Sequence, residues 1–234
     1  MRRHRPFCVR RILYAMDDTM PVPPPLRQRI EEAYIHELRS AGHPPLSVFR
    51  FCQTLAISER EFFSEYPSLE AVETHWWRSF LNGVITSVES GAEWKSFSAR
   101  QRLLAFLFAF TEASLDHRTL FLLRVSGSPL KPLPHWAAFD ERFEAFAKSL
   151  LSLGRETGEV VSRGPLSAAY PRAMRLLLRS VVAFHLQDNS PKFERTDAYI
   201  EKSVNLLFDL VGHQVIDSGF DLLRFFMPGA RHRA

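Results

Sequence analysis

The sequence predicts an all-α protein, and three observations carry that prediction. Apolar residues recur at intervals of three and four along most of its 234 residues, a spacing that places them on one side of a helix. The run Leu103–Phe110, LLAFLFAF, is apolar on every side, as a helix surrounded by other helices must be. No stretch alternates apolar with polar residues convincingly enough for a strand, and no internal repeat is present. A hydrophobic share of 46% suffices for a sizeable core. The twenty phenylalanines suit either a large aromatic core or a greasy cavity.

The elements follow in order. Pro21-Val22-Pro23-Pro24-Pro25 is stiff and leads into a first helix over Leu26–Ala41, with Leu26, Ile30, Ala33, Tyr34 and Leu38 on its apolar face and Gly42 as its stop. Gly42-His43-Pro44-Pro45 breaks the chain. A second, short helix spans Leu46–Leu55, its Val48, Phe51, Cys52 and Leu55 packing on the first helix and on Phe62. Ala56-Ile57-Ser58 is a tight turn in which Ser58 can cap the next helix. That third helix, Glu59–Glu65, ends at Tyr66-Pro67-Ser68, because Pro67 lacks an amide and disfavours helical backbone at Tyr66. Two short helices joined by a three-residue turn match the helix-turn-helix pattern, whose second helix enters the DNA major groove.

A fourth helix begins near Ser68, with Glu70 favoured by the dipole of its first turn and an apolar stripe of Leu69, Val72, Trp76, Phe80, Val84 and Val88. His75 and Arg78 fall off that stripe, on the solvated side. Ala99–Leu115 is the central helix and Thr119–Val125 a short apolar one, ended by Ser126-Gly127-Ser128-Pro129. After the connector Lys131-Pro132-Leu133-Pro134, a helix carries Trp136, Phe139, Phe143, Phe146, Leu150 and Leu153 and closes at Gly154 or Gly158. The next, Ser167–Gln187, carries Met174, Leu177, Leu178, Val181 and Phe184; Arg172, Arg175 and Arg179 lie on another face, solvated or forming a basic patch. Past Pro191, Ile200, Val204, Leu207, Phe208 and Val211 form a stripe continued by Val215, Gly219, Leu222 and Phe226, suited to a symmetric contact with a second copy or to packing within one chain.

Charge is unevenly placed. Residues 1–19 hold five arginines against two aspartates, which is +3 of the chain's net +4. They read as an arm touching phosphates or a membrane surface, or as residues ahead of a start at Met16 or Met20. From Leu26 to Tyr66, five arginines against six glutamates leave −1, so this segment supplies little of the phosphate attraction behind non-specific DNA affinity. The two cysteines, Cys8 and Cys52, make no disulfide framework; Cys52 reads as a small buried hydrophobe, and a reducing, cytoplasmic setting is expected. No apolar run reaches the roughly 18 residues needed to span a bilayer, and no signal peptide is evident.

Enzyme chemistry finds no support. There is no phosphate loop, no zinc-spaced Cys/His set and no GxSxG elbow, so no catalytic residue, metal or cofactor is expected. Of nine histidines only His185 sits inside a strongly apolar helix, as a hydrogen-bonded core residue or as part of a ligand site. Glu112 reads either as a carboxylate at a helix end near His117 or Arg118, or as a polar anchor in an apolar pocket.

Ser47-Val48, Leu55-Ala56-Ile57-Ser58, Phe62-Phe63, Tyr66-Pro67-Ser68 and Glu70-Ala71-Val72 together resemble the TetR/AcrR family of bacterial regulators. Ser98-Ala99-Arg100, Leu103-Leu104-Ala105-Phe106 and the run from Gln187-Asp188-Asn189-Ser190-Pro191 through Glu201-Lys202-Ser203-Val204-Asn205-Leu206 to Phe208-Asp209-Leu210 are similar to a Bacteroidetes-type subgroup with its own C-terminal domain. The resemblance spans residues 26–227. It implies a three-helix DNA-binding domain over 26–70 and a helical ligand-binding and dimerising domain over 71–228, while 1–25 read as a disordered basic, proline-rich arm and 229–234 as a tail. It further implies a homodimeric transcriptional regulator that binds a double-stranded operator and answers to an apolar small molecule. The DNA-binding set it implies is Ser47, Arg50, Ser58, Arg60, Glu61, Phe63 and Ser64, with Ser47 on phosphate and Arg60 on a base edge or phosphate. The effector would meet Phe106, Phe110, Glu112, Phe143 and His185. Three positions depart from the family pattern: Arg60 where a small residue is common, Phe63 where a tyrosine hydroxyl often contacts phosphate, and Leu69 where a lysine is common. A TetR-like lipid or isoprenoid binder without DNA binding is the alternative. A protein-interaction scaffold is a third reading, for which an exposed Trp94 would argue.

Overall fold

A computed structural model describes residues 24–126 and 134–212. The N-terminal arm with Cys8, the connector at 131–133 and the expected continuation through Val215, Gly219, Leu222 and Phe226 lie outside the described residues. Nine α-helices are described: α1 (Leu26–Ala41), α2 (Val48–Leu55), α3 (Glu59–Glu65), α4 (Leu69–Glu89), α5 (Ala99–Leu115), α6 (Arg118–Arg124), α7 (Pro134–Glu156), α8 (Tyr170–Gln187) and α9 (Glu194–Gly212). Short 3-10 turns at Trp94–Ser96, Gly164–Ala169 and Pro191–Phe193 join some of them. No strand occurs among the described residues.

Local chemistry sets the boundaries. Gly42, at φ 77°, ends α1 in left-handed backbone that other residues adopt at a cost. Ser47, Ser58, Ser68 and Ser98 each cap the helix that follows, the side-chain oxygen accepting an amide of its first turn. Hence α2 starts at Val48 rather than Leu46, since Ser47 is spent as its cap. The polypeptide from Ser167 forms a 3-10 turn before α8 proper begins at Tyr170.

The core sits around α5, which touches α4, α6, α7, α8 and α9, as its all-round apolar run requires. Phe106, Phe110, Phe121, Phe139, Phe143 and Phe146 are fully buried there with Trp77. Glu159, between α7 and α8, holds the start of α5: its carboxylate accepts the amides of Ala99 (3.0 Å) and Arg100 (3.1 Å) and the Ser98 hydroxyl (3.1 Å). Although burial opposes the charge, these bonds keep the Glu159 carboxyl below its usual range.

The buried face of α4 differs from the expected stripe. Val72, Glu73, Trp77, Leu81, Val84 and Ile85 are buried, whereas Leu69, Trp76 and Phe80 are only partly so. The helix packs on α1, α5 and α7, and three neighbours cover a wider arc than one stripe. The apolar stripe of α9 is spent inside the chain: Ile200, Val204, Phe208 and Val211 are buried against α5 and α8, while Leu206 and Leu210 remain exposed. Arg175 and Arg179 form no basic patch, because both pair with Asp140 of α7, Arg179 at 2.7 Å. Trp94 is half-buried, stacked on Phe146 and covered by Arg102, which removes the support for a scaffold reading.

Candidate nucleic-acid interface

Helices α1, α2 and α3 are held by an aromatic ladder. Tyr34 of α1 meets Phe51 edge-on (6.2 Å), and Phe51 meets Phe62 of α3 the same way (6.1 Å). Cys52 is buried beside them, as expected, and burial pushes its thiol up. The turn between α2 and α3 is tightened by Ala56 in left-handed backbone, φ 52°. At the start of α3 a complete capping box forms: Ser58 Oγ accepts the Glu61 amide (3.2 Å), and Glu61 Oε2 accepts the Ser58 amide (2.8 Å). The Ser58 backbone bond, followed by its hydroxyl bond, keeps the Glu61 carboxyl below its usual range.

These bonds sort the expected DNA-binding residues. Ser58 and Glu61 are occupied with each other and build the helix start. Ser47 Oγ accepts the Arg50 amide (3.3 Å), and the Ser64 hydroxyl donates to the Glu61 carbonyl (2.7 Å). Arg50 and Arg60 are exposed and have no ion-pair partner among the described residues, and Phe63 is exposed next to them in sequence. By contrast, Arg27 lies over the Tyr66 ring and near Glu31 and Glu65, and Arg29 reaches the Leu55 carbonyl. Leu46 and Phe49, which sequence reasoning did not single out, are also exposed on this unit. His75, on the solvated side as expected with its side chain 38% exposed, also lies 2.9 Å from the Glu31 carboxylate, which accepts the Tyr66 hydroxyl.

Behind the motif lies a buried polar node joining three helices. Glu73 of α4 is 2% exposed, and its carboxylate takes both arms of Arg124 from α6, at 2.8 and 3.0 Å. It also accepts the Tyr34 hydroxyl of α1 (2.9 Å) and the Trp77 indole (3.2 Å). Bonding to Glu73 holds the Arg124 guanidinium charged above its already high range, while burial and then the Glu73 charge push the Tyr34 phenol up. Sequence reasoning missed this node. Its signal was a glutamate at i−4 from a buried tryptophan, next to the apolar Val72 on the buried side of the helix.

The five expected effector residues fall into two places. Phe106, Phe110 and Phe143 are mutually packed in the core, Phe106 lying 5.9 Å from Phe110 and 5.5 Å from Phe143. Glu112 is exposed, since two residues beyond Phe110 lie roughly 200° round the helix. It shares a surface cleft with His185, apart from those three rings, and pairs with neither His117 nor Arg118. His185 is buried as expected, but neither ring nitrogen has a hydrogen-bond partner among the described residues. Burial, and after it the Arg118 charge, lowers its pKa to about 4, which keeps the ring neutral.

Residues 102–226 match the tetracyclin repressor-like C-terminal domain family. No curated protein matches the sequence. Among solved structures the fold is similar to that of a TetR transcriptional regulator from Nitrosomonas europaea ATCC 19718: 11% identity, 79% of this chain and 98% of that one covered, TM-score 0.56. It is also similar to a bacterial regulatory protein in the tetR family from Rhodococcus RHA1 (18% identity, 81% and 98% covered, TM-score 0.52). A protein of unknown function from Rhodococcus sp. RHA1 shares the fold as well (15% identity, 84% and 100% covered, TM-score 0.58).

Proposed function

The chain belongs to the TetR family, and on that premise we propose that it is a homodimeric regulator whose operator affinity is set by an apolar small molecule in the C-terminal domain. The observation that carries the reading is the α2–turn–α3 unit, capped at both helix starts and offering Arg50 and Arg60, exposed and without an ion-pair partner among the described residues, to an external anion. Arg60 contacts a base edge or phosphate; Ser47 contacts phosphate, and Arg50, Phe63 and Ser64 flank them. Ser58 and Glu61 contribute by shaping the helix start. Leu206 and Leu210 of α9 and Leu176 of α8, all exposed, supply apolar surface for a two-fold contact. The effector biases one arrangement of the recognition helices over another, which requires that it bind one state more tightly.

Fluorescence anisotropy of the purified protein against pooled genomic fragments, at about 50 and 200 mM salt, tests the reading. Tight binding to a subset, weakened by salt, supports it; no binding at either salt overturns it. One observation favours a second reading, a TetR-like lipid or isoprenoid carrier without DNA binding. The segment 26–66 carries −1, and Leu46, Phe49 and Phe63 expose apolar surface where a phosphate-binding face would be basic. A co-purifying lipid together with silence toward DNA would select it.

A further inference from the structure

The geometry points to a binding site for a small uncharged molecule, with an apolar body and one hydroxyl or amide headgroup, at the corner where α5, α8 and α9 meet. It rests on the regulator reading for the consequence of binding, and on the corner itself for binding. A cleft of about 280 Å³ opens there, walled by Leu115 and Thr111 at the end of α5, His185 near the end of α8, Phe193 of the 3-10 turn and Thr196 in the first turn of α9. Glu112, Lys192 and Asp197 are exposed, and its buried polar side chains are spent within the protein, with one exception. Thr111 donates to the carbonyls of its own helix, and Thr196 donates to Asp188 (2.7 Å). His185, 3% exposed, has no hydrogen-bond partner at either nitrogen among the described residues. A buried imidazole left in that state is unusual, and a neutral ring offers one donor and one acceptor. A hydroxyl or amide that reaches the ring from the cleft finds a partner whichever tautomer is present.

The surroundings set the rest of the ligand. Leu115 and the Phe193 ring provide an apolar wall. At the rim, the two carboxylates of Glu112 and Asp197 are balanced in number by the cations of Lys192 and the nearby Arg118, so net charge gains nothing. The corner is also built at a cost. Lys192 and Phe193 both occupy left-handed backbone, φ 52° and 59°, conformations that persist only where neighbours enforce them. Asp188 enforces them by accepting the amides of Ser190 and Thr196, each at 2.8 Å. The result seats the Phe193 ring 4.9 Å from the His185 ring, with the Arg118 guanidinium 4.9 Å from the centre of the same Phe193 ring.

Occupancy here has a route to the motif. Arg118 donates to the carbonyls of His185 and Leu186, both at 3.1 Å, and is the first residue of α6. Arg124, the last residue of α6, grips Glu73 on α4. A rigid seven-residue helix, about 10 Å long, thus has one arginine on the ligand corner and one on the node that meets α1.

The test is ring-nitrogen NMR of the full chain labelled with ¹⁵N-histidine, titrated without DNA against phenol, toluene, benzoate and benzylamine. His185→Gln assigns the His185 signals; Phe193→Leu, which removes the ring lying 4.9 Å from His185, assigns them if that variant does not fold. Phenol is expected to move the His185 nitrogens at millimolar concentration, with toluene and both ions at least about fivefold weaker. A His185 unmoved by phenol, or moved equally by toluene, overturns the site. A His185 response in protein that ignores DNA sinks the regulator reading and leaves the site standing; DNA binding with a silent His185 does the reverse.

Discussion

Arg60 and Arg124 lie in the same chain and carry the same charge, yet their surroundings give them opposite uses. Arg60 stands exposed on the first turn of α3, without an ion-pair partner among the described residues. Arg124 is three-quarters buried and committed by two bonds to a carboxylate that also holds a tyrosine and a tryptophan. An exposed cation keeps its water and stays available to an incoming phosphate at little cost to folding. A buried one has lost its water and depends on its partner, so it is committed to architecture. The motif is therefore the region where substitution should change binding and spare stability, and the node behind it the region where the reverse holds.

The node gives the largest expected effect. Glu73→Ala leaves Arg124, Tyr34 and the Trp77 indole without their shared acceptor, and breaking such a buried pair costs about 3–5 kcal/mol. Urea unfolding would show this as a lower midpoint at unchanged slope. The double variant Glu73→Leu/Arg124→Met removes both charges, and it should recover most of the loss. A double variant no more stable than Glu73→Ala would show that the pair is not what couples α4 to α6.

How far each region could be read from sequence follows the same division. Local rules governed the motif: Ser58, Pro67 and Gly42 fix helix ends within a few residues, so α1 and α3 were legible to the residue. The central helix was equally legible, because LLAFLFAF leaves no polar face. The node was not legible, since Glu73 and Arg124 lie 51 positions apart and meet only through packing of α4 on α6. The phase of α4 was misjudged for the same reason: Trp76 and Trp77 are equally apolar, and only three-sided burial selects Trp77. His185 was placed in the core correctly by its apolar neighbours. Its lack of a partner depends on the loop from Asp188 to Thr196, whose left-handed Lys192 and Phe193 no propensity would predict.

His185 extends the comparison to a third condition, buried and without a hydrogen-bond partner among the described residues. Its folded pKa of about 4 lies below its unfolded value near 6.5, so as pH falls the unfolded chain takes the proton first. Stability from the neutral ring is full above about pH 6.5 and declines toward about pH 4, by on the order of 2–3 kcal/mol. Unfolding free energy measured at several pH values should show that decline, and His185→Gln should flatten it over this window. An unchanged slope in the variant would mean that the ring is not held neutral in the folded protein.

On the exposed side, Arg60→Ala should weaken operator binding by about 1–3 kcal/mol and relax sequence preference at one base position, with the thermal midpoint unchanged. Retained affinity and preference would remove Arg60 from the interface. Phe63→Tyr adds the hydroxyl common in the family and should strengthen binding modestly.

The smallest effect separates shaping the motif from touching DNA. Ser58→Ala removes the oxygen that accepts the Glu61 amide, leaving the first turn of α3 with an unsatisfied donor and Glu61 without its hydroxyl partner. A cap of this kind is worth about 1 kcal/mol. Ser58→Asp restores an acceptor at the same place but brings a negative charge toward the phosphates. If Ser58 only shapes the helix, both variants should track affinity through stability, with aspartate close to the parent in each. If it touches DNA, aspartate should regain the stability and still lose affinity, more steeply at about 50 mM salt than at about 200 mM.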